Sequence, residues 1–508
     1  MDKRFGLKTH CIKDIINILS LHNEVEEAII FGSRAMGTYK NGSDIDIALK
    51  GGKINFDTLA NIRLRLDELP YLYMYDIIDY KKVSNSALTA HIDELGIVFY
   101  KKEIKPSEWK TYKLGKDVVT KLGDGLHGTP NYDYNGEYYF INGSNLVNGK
   151  IVINSNTKKV TETEFIKYKK DLSDKTILLG INGTIGNVAM YNNEMCVLGK
   201  SAAYLNINDD FDKNFVRYVL TNDHFQNYIK NNASGTTIKN VGLGLLREYE
   251  FSAPQDKTEQ QQIAQILSSL DDKIELNLKM NQTLEAMAQA TFKEWFVDFK
   301  FPNFDGELVD GMPKGWKECL MRDFGKIICG KTPSKAVDEY FGGEYMFIKI
   351  PDMHNSVFII ETTDSLTELG LNSQTNKTIP PYSICISSIA TVGLVCINPE
   401  PCQTNQQINT IVPKNSFLKY YLYFLAISMK ETFLATSSGG TATLNMNTSQ
   451  FSNLNAIMPS ENIMKEFDKI VSPMMDKILE NNYCNQALIQ TRDTLLPKLM
   501  SGKIEIKN

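Results

Sequence analysis

No stretch of this 508-residue chain approaches the roughly 18 consecutive apolar residues that a membrane-spanning helix needs. The N-terminus, Met1-Asp2-Lys3-Arg4-Phe5-Gly6-Leu7-Lys8, lacks the apolar core and small-residue cleavage site of a signal peptide and runs into a helical pattern at Ile12, Ile15, Ile16 and Leu19. The expectation is a cytoplasmic protein with no membrane contact. Cysteine pairs are missing too: the eight cysteines include no C-x-x-C, and the six histidines form no spaced cluster with them, which argues for reduced thiols and against zinc. There is no basic excess either. At a net charge of −5, any duplex binding needs its Lys and Arg segregated on one face or supplied by partner subunits. What is present is the composition of a globular protein, 42% hydrophobic and 23% charged, in a chain long enough for three or four domains.

The chain repeats itself with a period of about 205 residues. Trp109-Lys110 recurs as Trp316-Lys317, and Gly183-Thr184-Ile185-Gly186 as Ala390-Thr391-Val392-Gly393. Ser234-Gly235-Thr236-Thr237 answers Ser438-Gly439-Gly440-Thr441, Asp272-Lys273-Ile274 answers Asp476-Lys477-Ile478, and Asn281-Gln282 answers Asn485-Gln486. Each copy opens with a stretch rich in Gly, Asn, Thr and Tyr and in short runs such as Ile177-Leu178-Leu179 (109 to 254, then 315 to 458), which reads as a β-rich domain. Each closes on some 40 helical residues. Ile263, Leu267, Leu270, Ile274, Asn277, Asn281, Leu284 and Ala288 fall in three-four steps, and Phe467, Val471, Met474, Ile478, Asn481, Asn485, Leu488 and Arg492 repeat the phase. That is a coiled-coil seam in which Asn277, Asn281, Asn481 and Asn485 set the register; a pair of amphipathic surface helices is the alternative. Forty residues of helix span about 60 Å, so an antiparallel pair would hold two similar reading heads apart, as a bipartite target requires.

With these features the chain from about 106 to 508 resembles the specificity subunit of type I restriction enzymes. The residues that carry the likeness are Asp124-Gly125-Leu126-His127-Gly128-Thr129-Pro130, Gly330-Lys331-Thr332-Pro333-Ser334-Lys335, Gln260-Gln261-Gln262-Ile263-Ala264 and Leu495-Leu496-Pro497-Lys498-Leu499-Met500-Ser501-Gly502-Lys503-Ile504. The resemblance implies double-stranded DNA as ligand, two methyltransferase (modification) subunits docked on the spacers, and a restriction subunit driven by ATP. Candidates for DNA contact are His127 and Thr129 in the first domain and Lys331, Thr332 and Lys335 in the second; each is equally read as an exposed turn residue. The Ser234 and Ser438 segments either touch phosphate or turn the chain into its last strand. Two motifs mislead. Gly325-Lys326-Ile327-Ile328-Cys329-Gly330-Lys331-Thr332 fits a phosphate-binding loop in letters, but Pro333-Ser334 stands where a helix should propagate, no buried strand precedes it, and Gly128-Thr129-Pro130 marks a shared turn. Ile379-Pro380-Pro381-Tyr382, before a strand at Thr391-Val392-Gly393, lacks the acceptor that an amino-methyltransferase needs, so methylation falls to a partner.

The front of the chain differs. A strand, Ile29-Ile30-Phe31, ends in Gly32-Ser33-Arg34, and eleven residues after Ser33 a second strand opens with Asp44 and Asp46 at i and i+2, on one face. The strand Met74–Asp79 supplies a third carboxylate for two-metal chemistry, Asp76, with Asp79 as its substitute. The pattern resembles the minimal nucleotidyltransferases of the polymerase β superfamily. By that resemblance Gly32 and Ser33 hold a nucleoside triphosphate, Arg34 assists, and Asp44, Asp46 and Asp76 bind Mg2+; members of this size pair with a small helical toxin and can adenylylate it. The linker Lys101–Glu108 is charged, contains Pro106 and should be exposed.

The expected architecture is therefore multidomain α+β: an α/β nucleotidyltransferase domain (1–104), then two β-rich target-recognition domains (105–255 and 301–458) alternating with two long helices (256–300 and 459–508) that pair as an antiparallel coiled coil. Three readings of function compete: a non-catalytic DNA-specificity subunit, a nucleotidyltransferase with the rest as targeting module, and a front domain that only docks.

Overall fold

The computed structural model describes residues 3–22, 24–40, 42–52, 54–102, 108–235, 239–437 and 444–504. The chain forms two compact units, one reaching to Ile263 and joined by the chain from Lys498 onward, the other running from Ala264 to Pro497. No helix among the described residues is long and apolar enough to cross a membrane.

The front domain is a four-stranded sheet, β1 (Glu27–Phe31), β2 (Ile45–Lys50), β3 (Tyr75–Asp79) and β4 (Ile97–Lys101), in the order β3-β2-β1-β4. β2 runs parallel to β3 and antiparallel to β1. Along β2 the buried Ile45, Ile47 and Leu49 share one core with α1 (Thr9–Ser20), through Cys11, Ile15 and Leu19, and α3 (Phe56–Asp67), through Ile62 and Leu66. Asp46 alternates to the other face. Between β1 and β2 lies the four-residue helix α2 (Gly32–Ala35), and α4 (Ser86–Leu95) precedes β4.

The sequence repeat is reproduced in three matching strand sets. In the first copy a four-stranded antiparallel sheet runs Val188–Met190, Thr176–Gly180, Ala202–Ile207, Val119–Asp124; in the second, Val395–Asn398, Ser383–Ser387, Ile408–Pro413, Gly325–Cys329. A three-stranded mixed sheet follows the same rule: Lys159–Val160, Tyr138–Ile141, Cys196–Leu198 against Asp364–Leu366, Phe341–Ile348, Cys402–Thr404. Each copy closes by pairing its first strand with its last, Trp109–Lys113 with Glu250–Pro254 and Lys317–Leu320 with Asn455–Met458. Each also holds two helices that the β-rich reading passed over, Lys213–Thr221 with Asp223–Asn232 and Lys419–Ser428 with Lys430–Ser437.

Two details of the sequence reading change. Thr391-Val392-Gly393 is a turn between the strands Ser383–Ser387 and Val395–Asn398, not a strand. Its left-handed residues, Ala390 (φ 63°) and Gly393 (φ 88°), match Gly183 (φ 75°) and Gly186 (φ 90°), so Ala390 occupies a glycine position. The counterpart of Gly330 is Gly125 rather than Gly128. Both follow the outer strand of the four-stranded sheet, and a Cβ on either would meet backbone, at 2.3 Å from the Leu198 and Gly199 carbonyls or 2.1 Å from that of Asn405. Beyond them the amides of Leu126 and Lys331 donate to the Leu198 and Thr404 carbonyls. The strand Gly325–Cys329 runs through the phosphate-loop lookalike, and no helix follows it.

The long helices, Lys257–Phe296 and Glu461–Leu499, pair antiparallel: Asp271 meets Arg492 (2.9 Å), Asn277 meets Asn485, Asn281 meets Asn481 and Asn482, and Phe296 packs edge-on to Phe467. Leu267, Phe467, Val471 and Ile478 are fully buried; Met475, rather than Met474, fills the core, and the second helix continues through Pro473. Asn281 uses both ends of its amide, accepting from Asn481 at 2.8 Å and donating to Asn482 at 2.9 Å. Asn277 donates to Asn485 at 2.8 Å, which leaves Asn277 Oδ1 and Asn485 Nδ2 buried without a partner. Buried tyrosines tie the second copy to both helices, Tyr423 donating to Glu285 and Tyr420 to Asp476, each at 3.0 Å.

Replacing Asn277 alone by alanine strands the Asn485 amide and should cost about 1–3 kcal/mol, whereas leucine at both positions should be neutral or stabilising. Urea unfolding followed by circular dichroism distinguishes the two. Ala390→Gly relieves a left-handed alanine and should stabilise by about 0.5–1 kcal/mol in the same assay.

Candidate functional site

The acidic site of the front domain is built by three adjacent chain segments. β1 ends at Phe31, opposite Asp46 in register, and the chain turns at Gly32 with φ 67°. A Cβ on Gly32 would lie 2.4 Å from Asp46 Oδ2, so only glycine lets the chain pass so close to this carboxylate. On the other side of β2, Asp46 pairs in register with Asp76 of β3, which puts the two side chains on one face; Asp44, exposed, precedes β2 by one residue. Partial burial raises the pKa of Asp46 above the usual carboxylate value, and the neighbouring charges of Asp76 and Asp44 raise it further; Arg34 and His91 pull the other way. His91, on α4, is a neighbour that motif reading did not find, because it lies far along the chain from the acids.

Among the described residues no three His, Cys, Asp or Glu side chains converge closely enough to grip a metal ion. The partial burial and neighbouring carboxylates that raise Asp46, and the close approach of Gly32 to it, both fit a divalent cation, whose charge would favour the ionised carboxylates.

Two expectations for this site are corrected. Arg34 is buried, and its guanidinium is spent on backbone carbonyls: Nε donates to Ser43 (3.1 Å) and Asp44 (2.9 Å), Nη1 to Phe5 (3.0 Å), Nη2 to Ser43 (2.5 Å). Packed also against the Tyr39 and Tyr73 rings, it holds the loop that delivers Asp44 and Asp46, with each of its three nitrogens donating to a backbone carbonyl. Asp79 is buried on the opposite face of β3, accepting from the Lys81 amide and pairing with Lys82 at 3.5 Å, so it is no substitute for Asp76. Ser33 stays half-buried beside Gly32.

In the first recognition domain His127 and Thr129 are exposed on the loop after Val119–Asp124, with His127 Nε2 2.6 Å from Asp124 Oδ2. Leu126 of this loop packs, together with Tyr138, Phe165 and Tyr168, against the buried Phe140, Val160 and Val197, which ties the loop to a partly aromatic cluster. The same cluster carries a feature that loop reading missed: Lys158 Nζ lies 4.2 Å from the Tyr132 ring centroid, and Tyr134 is 98% exposed. In the second domain Lys331 and Lys335 are exposed, and Thr332 donates to Gln406 Oε1 at 2.9 Å. Lys335 borders a cavity of about 410 Å³ with Phe341, Gly342, Thr363, Asp364 and Ser365. Ser234 exchanges backbone hydrogen bonds with Asn240 at 2.9 and 2.7 Å, an isolated antiparallel bridge. Thr236, Thr237 and Ser438-Gly439-Gly440-Thr441 lie outside the described residues, as do residues 103–107 of the linker.

Known proteins share both halves of this arrangement. Residues 13–105 match the polymerase beta nucleotidyltransferase family. The HindI specificity subunit of Haemophilus influenzae is 34% identical, over 78% of this chain and all of its own length. The MjaIX specificity subunit of Methanocaldococcus jannaschii is 28% identical over 79% of this chain and 95% of its own. A crystal structure of the type I restriction-modification S subunit from M. genitalium has the same fold at 18% identity, with a TM-score of 0.52, covering 80% of this chain and 99% of that one. Because the type I restriction modification DNA specificity domain matches twice, over 106–286 and 313–488, on the two copies of one sheet set, this chain belongs to the specificity subunits of type I restriction-modification systems and carries a nucleotidyltransferase domain in front.

Proposed function

We propose that the chain binds a bipartite duplex DNA target in the cytoplasm, one recognition domain per half, and directs two modification subunits and a restriction subunit to it. The observation that carries this reading is the duplication itself: two equivalent sheet sets joined to a helix pair whose polar seam tolerates one register. In it His127 and Thr129, and Lys331, Thr332 and Lys335, belong to the DNA-facing loops, while Asn277, Asn281, Asn481 and Asn485 fix the spacer. The boundaries 1–104, 105–255, 256–300, 301–458 and 459–508 divide these tasks. Purified with its modification subunits, the chain should select a bipartite sequence from a random duplex library; uniform binding across the library would overturn the proposal.

The second reading concerns the front domain, and the Gly32-Asp46 contact beside Asp76 favours it. Asp44, Asp46 and Asp76 would hold Mg2+, and Gly32 and Ser33 would take the triphosphate of a nucleotide. Bound there, the metal would neutralise charge on the reacting phosphates. Arg34 positions the acidic loop, and the buried face of β2 keeps its carboxylates rigid. An acceptor oxygen would take the nucleotidyl group as the bond to the β-phosphate breaks, so the products would be a nucleotidylated protein and pyrophosphate, with a small helical toxin as acceptor. An Asp44→Ala, Asp46→Ala variant should transfer label from ATP roughly a hundredfold more slowly or less, the scale of a lost charge-stabilising group. Equal labelling would leave the front domain a docking module.

The raised pKa of Asp46 has a signed consequence for stability. A carboxyl that binds its proton more tightly when folded loses stability as pH rises through its folded pKa and keeps it below. Asp46→Asn should therefore raise the melting temperature at pH 7 without divalent cation, and the gain should vanish as pH falls below the carboxylate range. Added Mg2+ should stabilise the native chain more than this variant, which thermal scans with and without Mg2+ would measure.

A further inference from the structure

Resting on the DNA-binding reading above, we infer that the two recognition domains share duplex affinity unequally: the first grips phosphates through a lysine and tyrosine face, and the matching lobe of the second makes little electrostatic contact. Both lobes are built on the three-stranded mixed sheet, so like is compared with like. Residues 130–170 of the first contain six lysines and four carboxylates; residues 335–377 of the second contain three lysines and seven carboxylates.

Placement sharpens the contrast. In the first lobe Lys158, Lys159 and Lys167 stand over the rings of Tyr132 (4.2 Å), Tyr139 (5.7 Å) and Tyr168 (4.8 Å). A ring holds an ammonium in place without cancelling its charge, unlike a carboxylate. The strand pairing brings these residues together: the Asp133 amide donates to the Lys159 carbonyl at 2.9 Å and that of Phe140 to Lys158 at 2.8 Å, while the exposed Tyr134 stands next to this edge. In the second lobe Lys349 is paired with Asp364, and Lys377 Nζ donates to the Cys329 carbonyl at 2.9 Å. Lys335 borders the cavity that contains Asp364. Released counterions drive duplex affinity in proportion to the phosphates neutralised, so the first lobe supplies the salt-sensitive part of binding. The chain thereby binds an acid-rich ligand at a net charge of −5, by segregating its cations in one copy.

The test is the salt dependence of binding of the full chain to one fixed non-specific duplex. The triple variant Lys158→Ala, Lys159→Ala, Lys167→Ala should lower the slope of log affinity against log salt by about 2 to 3, and arginine at the same positions should restore it. The control double Lys349→Ala, Lys377→Ala, at the two partner-bound lysines of the second lobe, should change it by less than about 1. Comparable losses in both variants, or no loss in the first, would overturn the unequal division while leaving DNA binding intact. A native chain that binds the duplex with no salt dependence would overturn the DNA-binding reading beneath it.

Discussion

A buried amide must find a partner, and the middle of the helix pair is organised around that demand. Asn277 and Asn481 are equivalent in the two copies, as are Asn281 and Asn485, yet each pairs across with the other class. That exchange is possible only when the helices run antiparallel and in this register. A slip of one turn would set the amides against Ile274 or Ile478 at a cost of about 1–3 kcal/mol for each stranded group. The stranded atoms of Asn277 and Asn485 mean that this centre gives up stability for a defined alignment. The local two-fold relation is then broken outside the centre. Asp271 faces Arg492 on one side, whereas the equivalent positions on the other, Met475 and Ala288, are buried in an apolar core.

The front domain follows a different logic, in which a local fault marks the site. Asp46 and Asp76 lie on the face of the sheet away from the α1 and α3 core, and partial burial, with the charges of Asp76 and Asp44 nearby, makes Asp46 hold its proton more tightly. Such repulsion gives no stability to the fold and is expected where a cation is to be received. Arg34 relieves it only in part through its charge, and its hydrogen bonds go to the loop, in four contacts with carbonyl oxygens.

Periodicity makes the helices and their asparagines legible in the sequence, because a seam repeats over many residues. Position within a turn was less legible: Met475 rather than Met474 entered the core, since the two are adjacent and equally apolar. The glycine and acid pattern of the front domain could be read because β alternation places i and i+2 together. Arg34 could not be assigned, since a motif does not say which way a guanidinium turns. Likewise the Tyr132 and Lys158 pair depends on a bridge between Tyr132 and Val160 that no local spacing reveals. Asn482, which completes the Asn281 amide, lies outside the three-four pattern for the same reason.

Gly125 and Gly330 anchor their loops against the neighbouring strand where no side chain fits, and each loop next reaches a buried proline, Pro130 or Pro333. Five steps separate the anchors in one copy and three in the other, with the surrounding sheets unchanged. The segment is held to the sheet at its first residue, Leu126 or Lys331, and past that residue its length and side chains can drift at little folding cost. A duplicated gene under pressure to acquire new targets would find its cheapest variation there, as an exchangeable cassette between two fixed posts.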